Sequence, residues 1–363
     1  MSGPFVLAAG GTGGHLFPAQ ALARELMRRG RRVVVMTDGR GHNYGNAFPG
    51  AEIATVPAAT FAGRSILGRV LALGIILLGV LAALKKMLNL KPRAVVGFGG
   101  YPSLPIMTAA WLVRVPAALH EQNAVLGRVN RLLAPRVKTI AASFPFARFA
   151  PDSSRLVFTG NPVRPEAAEL KDKGYTPPDA NGPVRLLIFG GSQGAKALSE
   201  LVPAALLRLP ASLKSRLVVT QQCRGDDVPM VETAYRNSDI KVEVGKFFTD
   251  LPRRMADAHL IIARSGASTL SELTVIGRPA ILIPFPFAMD DHQAANAAVL
   301  EKAGAAWVIR QDELDADRLA KFLEDVFSKP EQLRARAQAA KNLGHPDAAQ
   351  RLADVAENLG AAA

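Results

Sequence analysis

The residues with the most chemical promise run Ala263-Arg264-Ser265-Gly266-Ala267-Ser268-Thr269-Leu270-Ser271-Glu272. They follow His259-Leu260-Ile261-Ile262-Ala263, an apolar run that reads as a short buried strand. They lead into a helical pattern with Leu270 and Leu273 on one side. A strand, a turn of small residues and a helix N-terminus leave unpaired N–H groups and the positive end of the helix dipole facing one point, which suits an anion. Ser265, Ser268 and Thr269 add hydroxyls there, and Arg264 adds a fixed positive charge. Glu272 sits about one turn further on, too far to repel a phosphate but within reach of a ribose diol. The pattern therefore suits a nucleoside diphosphate. The plainer alternative is an ordinary capped helix, with Glu272 in its capping chemistry. His15 is the second chemical candidate. It follows the turn Gly10-Gly11-Thr12-Gly13-Gly14, and an imidazole whose ordinary pKa lies near neutrality suits a general base. Its plainer role is to cap a helix or to touch a ligand.

Both candidates need a scaffold of parallel strands. Residues 4–9 read as a first strand, Ala19 to Arg29 as a helix and Arg32 to Thr37 as a second strand, a βαβ opening with a glycine-rich turn. In the G-x-G-x-x-G frame from Gly11, the third glycine position holds Leu16. Asp38 could still hold a ribose, so a nicotinamide-dependent oxidoreductase is a rival reading. Further strands are expected at 94–98, 116–120 and 139–143, and Glu121-Gln122-Asn123 lies where parallel sheets bind ligands. The proline-rich stretch from Gly160 through Pro178 reads as an interdomain link. The pattern then starts again with Val184 to Phe189 and the turn Gly190-Gly191-Ser192-Gln193-Gly194-Ala195. Apolar runs at 217–220, 242–244, 260–262 and 280–284 alternate with helical segments. The two glycine turns lie about 180 residues apart, one architecture used twice. Residues 347–359 read as a final amphipathic helix.

Composition sets the bounds. A chain of 363 residues suggests two domains, and the single cysteine, Cys223, leaves no intramolecular disulfide and fits a reducing compartment. The start of the chain shows no basic n-region or separate cleavage site, so no signal peptide is expected. The formal charge of +13 asks for a negatively charged partner. With only 6% aromatic residues and no recognised module, nucleic acid is not expected to be that partner. Val70 to Leu84 contains fifteen consecutive non-polar residues flanked by Arg64, Arg69, Lys85, Lys86, Lys91 and Arg93. As a helix that run is about 22 Å long, short of the roughly 20 residues that span a bilayer. Most of its side chains are expected in a core, with one face or end on an anionic membrane surface. A non-catalytic, membrane-associated nucleotide-binding protein would explain the basic, apolar first half but not the duplicated ligand loops.

Six ordered motifs carry a resemblance. They are Gly10-Gly11-Thr12-Gly13-Gly14-His15, Gly99-Gly100-Tyr101, His120-Glu121-Gln122-Asn123, Gly160-Asn161-Pro162-Val163-Arg164, Gly190-Gly191-Ser192-Gln193-Gly194-Ala195 and Arg264-Ser265-Gly266-Ala267. Together, across almost the whole chain, they closely resemble the MurG family of bacterial peptidoglycan glycosyltransferases. The resemblance implies the α/β GT-B fold, two Rossmann-like domains with parallel sheets facing across a cleft. Their expected extents are 1–163, to which a helix at about 345–363 returns, and 164–344. It implies an inverting transfer of N-acetylglucosamine from UDP-GlcNAc to lipid I, the undecaprenyl-linked acceptor, making lipid II. It also implies a peripheral place on the cytoplasmic face of the inner membrane, beside other cell-wall synthesis or division proteins. Carried over by motif, Thr12, Gly13, Gly14, Asn123, Arg164, Ser192, Phe248, Ala267, Ser268, Thr269, Leu270, Ser271, Glu272 and Gln293 would line the donor site, Phe248 through its backbone at the uracil. His15 would be the base. No metal or other cofactor is expected. The chain departs from the family pattern at Phe248, often aliphatic there, and at His292, which is Gln in some members.

Overall fold

The computed structural model describes residues 3–11, 13–39, 48–60, 65–191 and 195–361. They fall into two compact units, Met1–Arg164 with His345–Ala363, and Pro165–Gly344. Arg164 thus belongs to the first unit, one residue past the boundary drawn from sequence.

The first unit is built on β1 (Phe5–Ala8), β2 (Val33–Thr37), β3 (Glu52–Thr55), β4 (Ala94–Gly97), β5 (Ala117–Glu121), β6 (Thr139–Ala142) and β7 (Leu156–Phe158). All pair in parallel in the order β3-β2-β1-β4-β5-β6-β7, with Phe5 opposite both Val33 and Ala94. Alternation along β1 divides the core. Phe5 and Leu7 pack on one face with Leu22 and Leu26 of α1 (Gly13–Arg28). Val6 and Ala8 pack on the other with Ala83 and Met87 of α2 (Ile66–Leu90) and Ile106 and Met107 of α3 (Ser103–Leu112). The helix Ala348–Ala361 completes the first face with Leu352, Ala353, Ala356 and Leu359. Burying a leucine of this kind stabilises by about 1.5–3 kcal/mol. Arg29 bonds Asp354 at 2.6 Å and Glu357 at 2.7 Å, and Arg31 bonds Glu357 at 2.6 Å, fixing the helix in register along α1.

Two sequence expectations need correction here. α1 begins at Gly13, six residues before Ala19, and contains Pro18. Pro18 lies in the second turn and forfeits the backbone bond to the carbonyl of Gly14. α2 is 25 residues long, not fifteen, and most of it is not core. Only Ala72, Ile76, Gly79, Ala83 and Met87 are buried, a single stripe at helical spacing. A Cβ at Gly79 would lie 2.0 Å from the Pro57 carbonyl oxygen, so the helix backbone docks directly on that loop. Val70, Leu71, Leu77, Leu78 and Leu81 are all more than half exposed. By length and composition this helix could cross a membrane.

The second unit holds β8 (Val184–Phe189), β9 (Leu217–Gln222), β10 (Lys241–Gly245), β11 (Leu260–Ala263), β12 (Ala280–Leu282) and β13 (Ala306–Val308). These are again all parallel, in the order β10-β9-β8-β11-β12-β13. Counted from each first strand, both sheets run 3-2-1-4-5-6, and the first adds a seventh strand at the end. Both first strands end in a glycine turn of left-handed backbone, with φ +94° at Gly11 and +84° at Gly191.

Candidate active site

In the second unit β11 runs through Arg264 and Ser265 into the helix Ala267–Ile276. Its N-cap is Gly266, whose backbone is extended and which has no side chain to accept from the first turn. The N–H groups at this end therefore lack the side-chain cap that the plainer reading required, a condition for taking an anion. Ser268 supports that use, because its buried Oγ has no hydrogen-bond partner among the described residues. Thr269 is half-buried in the same turn, and Glu272 is buried in the next.

Other members of the stretch hold the turn in place. Ser265 Oγ donates to the Gln293 carbonyl at 2.8 Å, and Asn296 Nδ2 donates to the Ser265 carbonyl at 3.2 Å. Gln293 Oε1 accepts from Phe285 N at 2.9 Å. The helix His292–Lys302 is thereby latched to the Gly266 turn. Arg264 is not the phosphate cation expected from sequence. Its guanidinium is buried and donates to the carbonyls of Ile283 at 3.0 Å and Pro284 at 3.1 Å and to Gln311 Oε1 at 2.6 Å. Burial lowers its pKa, and its work is to tie the β12 loop to the turn. The Ser271 hydroxyl donates to the Ala267 carbonyl, and Leu270 is a fully buried core side chain, so both have chiefly backbone to offer a ligand. Phe248 is buried beneath the Arg254 guanidinium, 4.2 Å from the ring centroid, which restricts it to backbone contact. Asp291 accepts from Arg310 at 3.1 Å, and no group of three or more His, Cys, Asp or Glu among the described residues could hold a metal ion.

In the first unit His15 lies in the first turn of α1, after Gly13 and Gly14. Its ring rests against the turn that follows β4. A Cβ at Gly100 would sit 3.3 Å from His15 Cδ2 and 3.5 Å from Nε2, and φ there is +71°. Only glycine fits both demands without strain. The adjoining Tyr101 donates its hydroxyl to Asp38 Oδ2 at 2.7 Å. Asp38 is buried, so the carboxylate that a nicotinamide enzyme would turn to its ribose is committed to the turn beside His15.

Behind His15 the end of β5 carries a polar cluster that sequence reading placed but did not resolve. Glu121, 2% exposed, accepts from Asn123 N at 3.1 Å, Asn123 Nδ2 at 3.2 Å, Gly127 N at 2.9 Å and Asn130 Nδ2 at 2.8 Å. Those four donors justify a buried carboxylate, which shapes the loop bearing Asn123. His15 Nδ1 lies 3.2 Å from Gln122 Oε1. His120 is fully buried, and burial pushes its pKa down to about 4. Arg164 sits with its guanidinium 5.5 Å from the Phe17 ring centroid. Thr12 and Ser192 of the expected donor site lie outside the described residues. Asn296 was missed, since an Asn one turn past Gln293 carries no spacing signal of its own, and Gln122 was placed at the strand end without a role.

Comparison with known proteins agrees in both units. Residues 5–142 match the glycosyltransferase family 28 N-terminal domain, and residues 185–352 match the glycosyltransferase family 28 C-terminal domain. A relative from Chelativorans sp. (strain BNC1) is 50% identical over 354 residues, spanning 98% of this chain and 94% of its own. Another from Methylobacterium sp. (strain 4-46) is 52% identical over 351 residues, 96% of this chain and 94% of its own. Both are named UDP-N-acetylglucosamine–N-acetylmuramyl-(pentapeptide) pyrophosphoryl-undecaprenol N-acetylglucosamine transferase. The crystal structure of Acinetobacter baumannii MurG superposes with a TM-score of 0.80 at 30% identity, covering 98% of this chain and 99% of that one. With the duplicated α/β architecture, both domain models and near-full-length identity in agreement, the chain belongs to glycosyltransferase family 28.

Proposed function

We propose that the chain transfers N-acetylglucosamine from UDP-GlcNAc to the C4 hydroxyl of the N-acetylmuramyl residue of lipid I, giving lipid II for peptidoglycan. The observation that carries this reading is 50% identity over 98% of the chain to a relative with that transferase name.

The chemistry requires a base for the acceptor hydroxyl and charge stabilisation for departing UDP. His15 Nε2 takes the proton from the C4 hydroxyl as that oxygen bonds to the anomeric carbon. The bond from that carbon to the diphosphate breaks in the same step, and its electron pair leaves on the β-phosphate. A single displacement of this kind inverts the α-linked donor to a β-linked product. The N-terminus of the helix Ala267–Ile276, with Ser268 and Thr269, takes the diphosphate charge, and Glu272 accepts from the ribose diol. In the second unit Phe248, Ala267, Leu270, Ser271, Gln293 and Ser192 complete the donor contacts that the family resemblance implies, and the same resemblance assigns Thr12, Gly13, Gly14, Asn123 and Arg164 as ligand contacts in the first. The diphosphate is stabilised by dipole and hydrogen bonds, without a required metal or other cofactor.

The acceptor is lipid-linked, and α2 suits such a substrate. One stripe docks on the unit while leucines cover the rest of the surface, and Arg69 and Lys85 are exposed on the same helix. A helix docked along one side is suited to lying in the headgroup region instead of crossing it. This supports peripheral binding to the anionic cytoplasmic face of the inner membrane. The decisive experiment measures UDP release from UDP-GlcNAc with and without a lipid I analogue, alongside UDP and NADH binding. Acceptor-dependent release with UDP binding is expected; NADH binding without release would return the oxidoreductase.

A further inference from the structure

The hydrogen-bond chain behind His15 has a direction. Gln122 Nε2 lies 3.1 Å from the Phe98 carbonyl oxygen and 3.1 Å from His120 Nδ1. His120 Nε2 faces the Gly160 carbonyl at 3.3 Å and Ser143 Oγ at 3.4 Å. Gln122 is 2% exposed and His120 fully buried, so water does not offer either an alternative partner.

A carbonyl oxygen only accepts. The Gly160 carbonyl therefore asks for the His120 proton on Nε2, which leaves a lone pair on Nδ1. The Gln122 amide then meets two acceptors on one side, Phe98 O and His120 Nδ1, and must present its NH2 group to both. Turning the amide over would set its oxygen against two acceptors. Its own oxygen, Oε1, is thus directed at His15, where it can only accept. His15 Nδ1 must donate, and when the ring is neutral its lone pair stands on Nε2. Because burial holds His120 neutral well below physiological pH, this order persists through the working range.

We propose that Gln122, clamped by the Phe98 carbonyl and by His120, is the positioning residue that holds His15 as the Nδ1–H tautomer with Nε2 open for the acceptor proton. A free imidazole in water favours the other tautomer, so the clamp supplies what the side chain lacks by itself. The hydrogen bond on one ring nitrogen selects the chemistry of the other. This inference rests on the reading of His15 as the base, but its physical content is a tautomer and can be observed without turnover.

The test is 15N NMR of the His15 ring at a pH where it is neutral, in the full chain labelled at histidine, assigned with His15→Gln. A pyrrole-type Nδ1 and a pyridine-type Nε2 are expected. In Gln122→Met, which keeps length but cannot accept, the pattern should reverse, and kcat should fall about 10–100-fold with the KM for UDP-GlcNAc nearly unchanged. Gln122→Glu, which still offers His15 Nδ1 an acceptor oxygen, should keep the Nδ1–H pattern. A pyridine-type Nδ1 in the unsubstituted protein overturns the proposal even if Gln122→Met does not fold. An unchanged pattern in folded Gln122→Met overturns it as well. Full activity in His15→Ala with the expected tautomer would instead overturn the base assignment and leave the clamp standing.

Discussion

The two units share a strand order and a left-handed glycine after the first strand, and they part company in where the candidate chemistry sits, after the fourth strand of the second unit and after the first strand of the first. In the second unit the helix after β11 is buried along almost its whole length. The loops around its start are tied by Arg264, Ser265, Gln293 and Asn296. Its orphan N–H groups are thus held rigid before any ligand arrives, which is what electrostatic stabilisation of a leaving group demands. In the first unit it is the turn after β1 that carries the candidate base, His15, hydrogen-bonded to Gln122 and through it to His120. The same unit exposes α2, a surface suited to lipid. The proposed function thus uses one scaffold twice, once for holding charge and once for moving a proton.

The largest test of this division is His15→Ala. Turnover should fall about 10²–10⁴-fold, while UDP-GlcNAc affinity and Tm stay close to those of the parent, and the parent's product should be β-linked. An unchanged rate in the folded variant would remove the proton-moving role from the first unit; a retained α configuration would remove the single displacement.

Glu272→Ala addresses the second unit. Loss of the diol contacts should weaken UDP-GlcNAc binding by about 1–3 kcal/mol, read by calorimetry, with little change in lipid binding. Turnover should also survive EDTA. Activity abolished by chelation and restored by magnesium would mean that a cation shares the charge-holding task.

Replacing Ile75 and Leu78 with Glu should release the protein from anionic vesicles while UDP binding persists. The two side chains are 37% and 62% exposed, so the fold should tolerate the change. Added salt should weaken vesicle binding in the parent, because the flanking Arg and Lys act through screened charge. Unfolding of the double variant would show that α2 serves the core after all.

The smallest effect concerns the joint between α1 and the helix Ala348–Ala361. Hydrogen bonds from Arg28 to Glu25 and from Arg29 to Glu357 hold both carboxyls below their ordinary value of 4.5. Folded values below the unfolded ones mean that this stabilisation is complete above pH 4.5 and fades as pH falls through the folded values. Melting curves from pH 6 down to pH 3 should drop less steeply for Glu357→Gln than for the parent. Parallel slopes would show that the pair adds nothing.

Much of this organisation was legible in the sequence because buried parallel strands are uninterrupted apolar runs; Val184 to Phe189 was read residue for residue. β3 and β7 were not anticipated, since strands of three or four residues at a sheet edge, such as Leu156–Phe158 with two exposed positions, lack a longer run, and β13 was passed over although Ala305 to Ile309 is apolar throughout. α2 was misread because an apolar run shows that side chains avoid water, not whether protein or lipid replaces it. Of the site, the Gly266 helix start and His15 could be found from residue type and spacing. The committed guanidinium of Arg264 and the Gln122 clamp could not, because both depend on backbone carbonyls brought in from distant strands.

The helix Ala348–Ala361 has a consequence for how the chain is made. The face of β1 that it covers is synthesised first, and its cover is synthesised last, after the whole of the second unit. At roughly 5–20 residues per second, the ribosome takes on the order of 10–40 s to supply that cover. Throughout this interval Phe5, Leu7 and Leu22 can gather with α1 but cannot be sealed, and α2 already offers its leucines to any apolar surface nearby. The nascent first unit is therefore the stage at which a chaperone, or the membrane itself, has its longest opportunity to engage this protein.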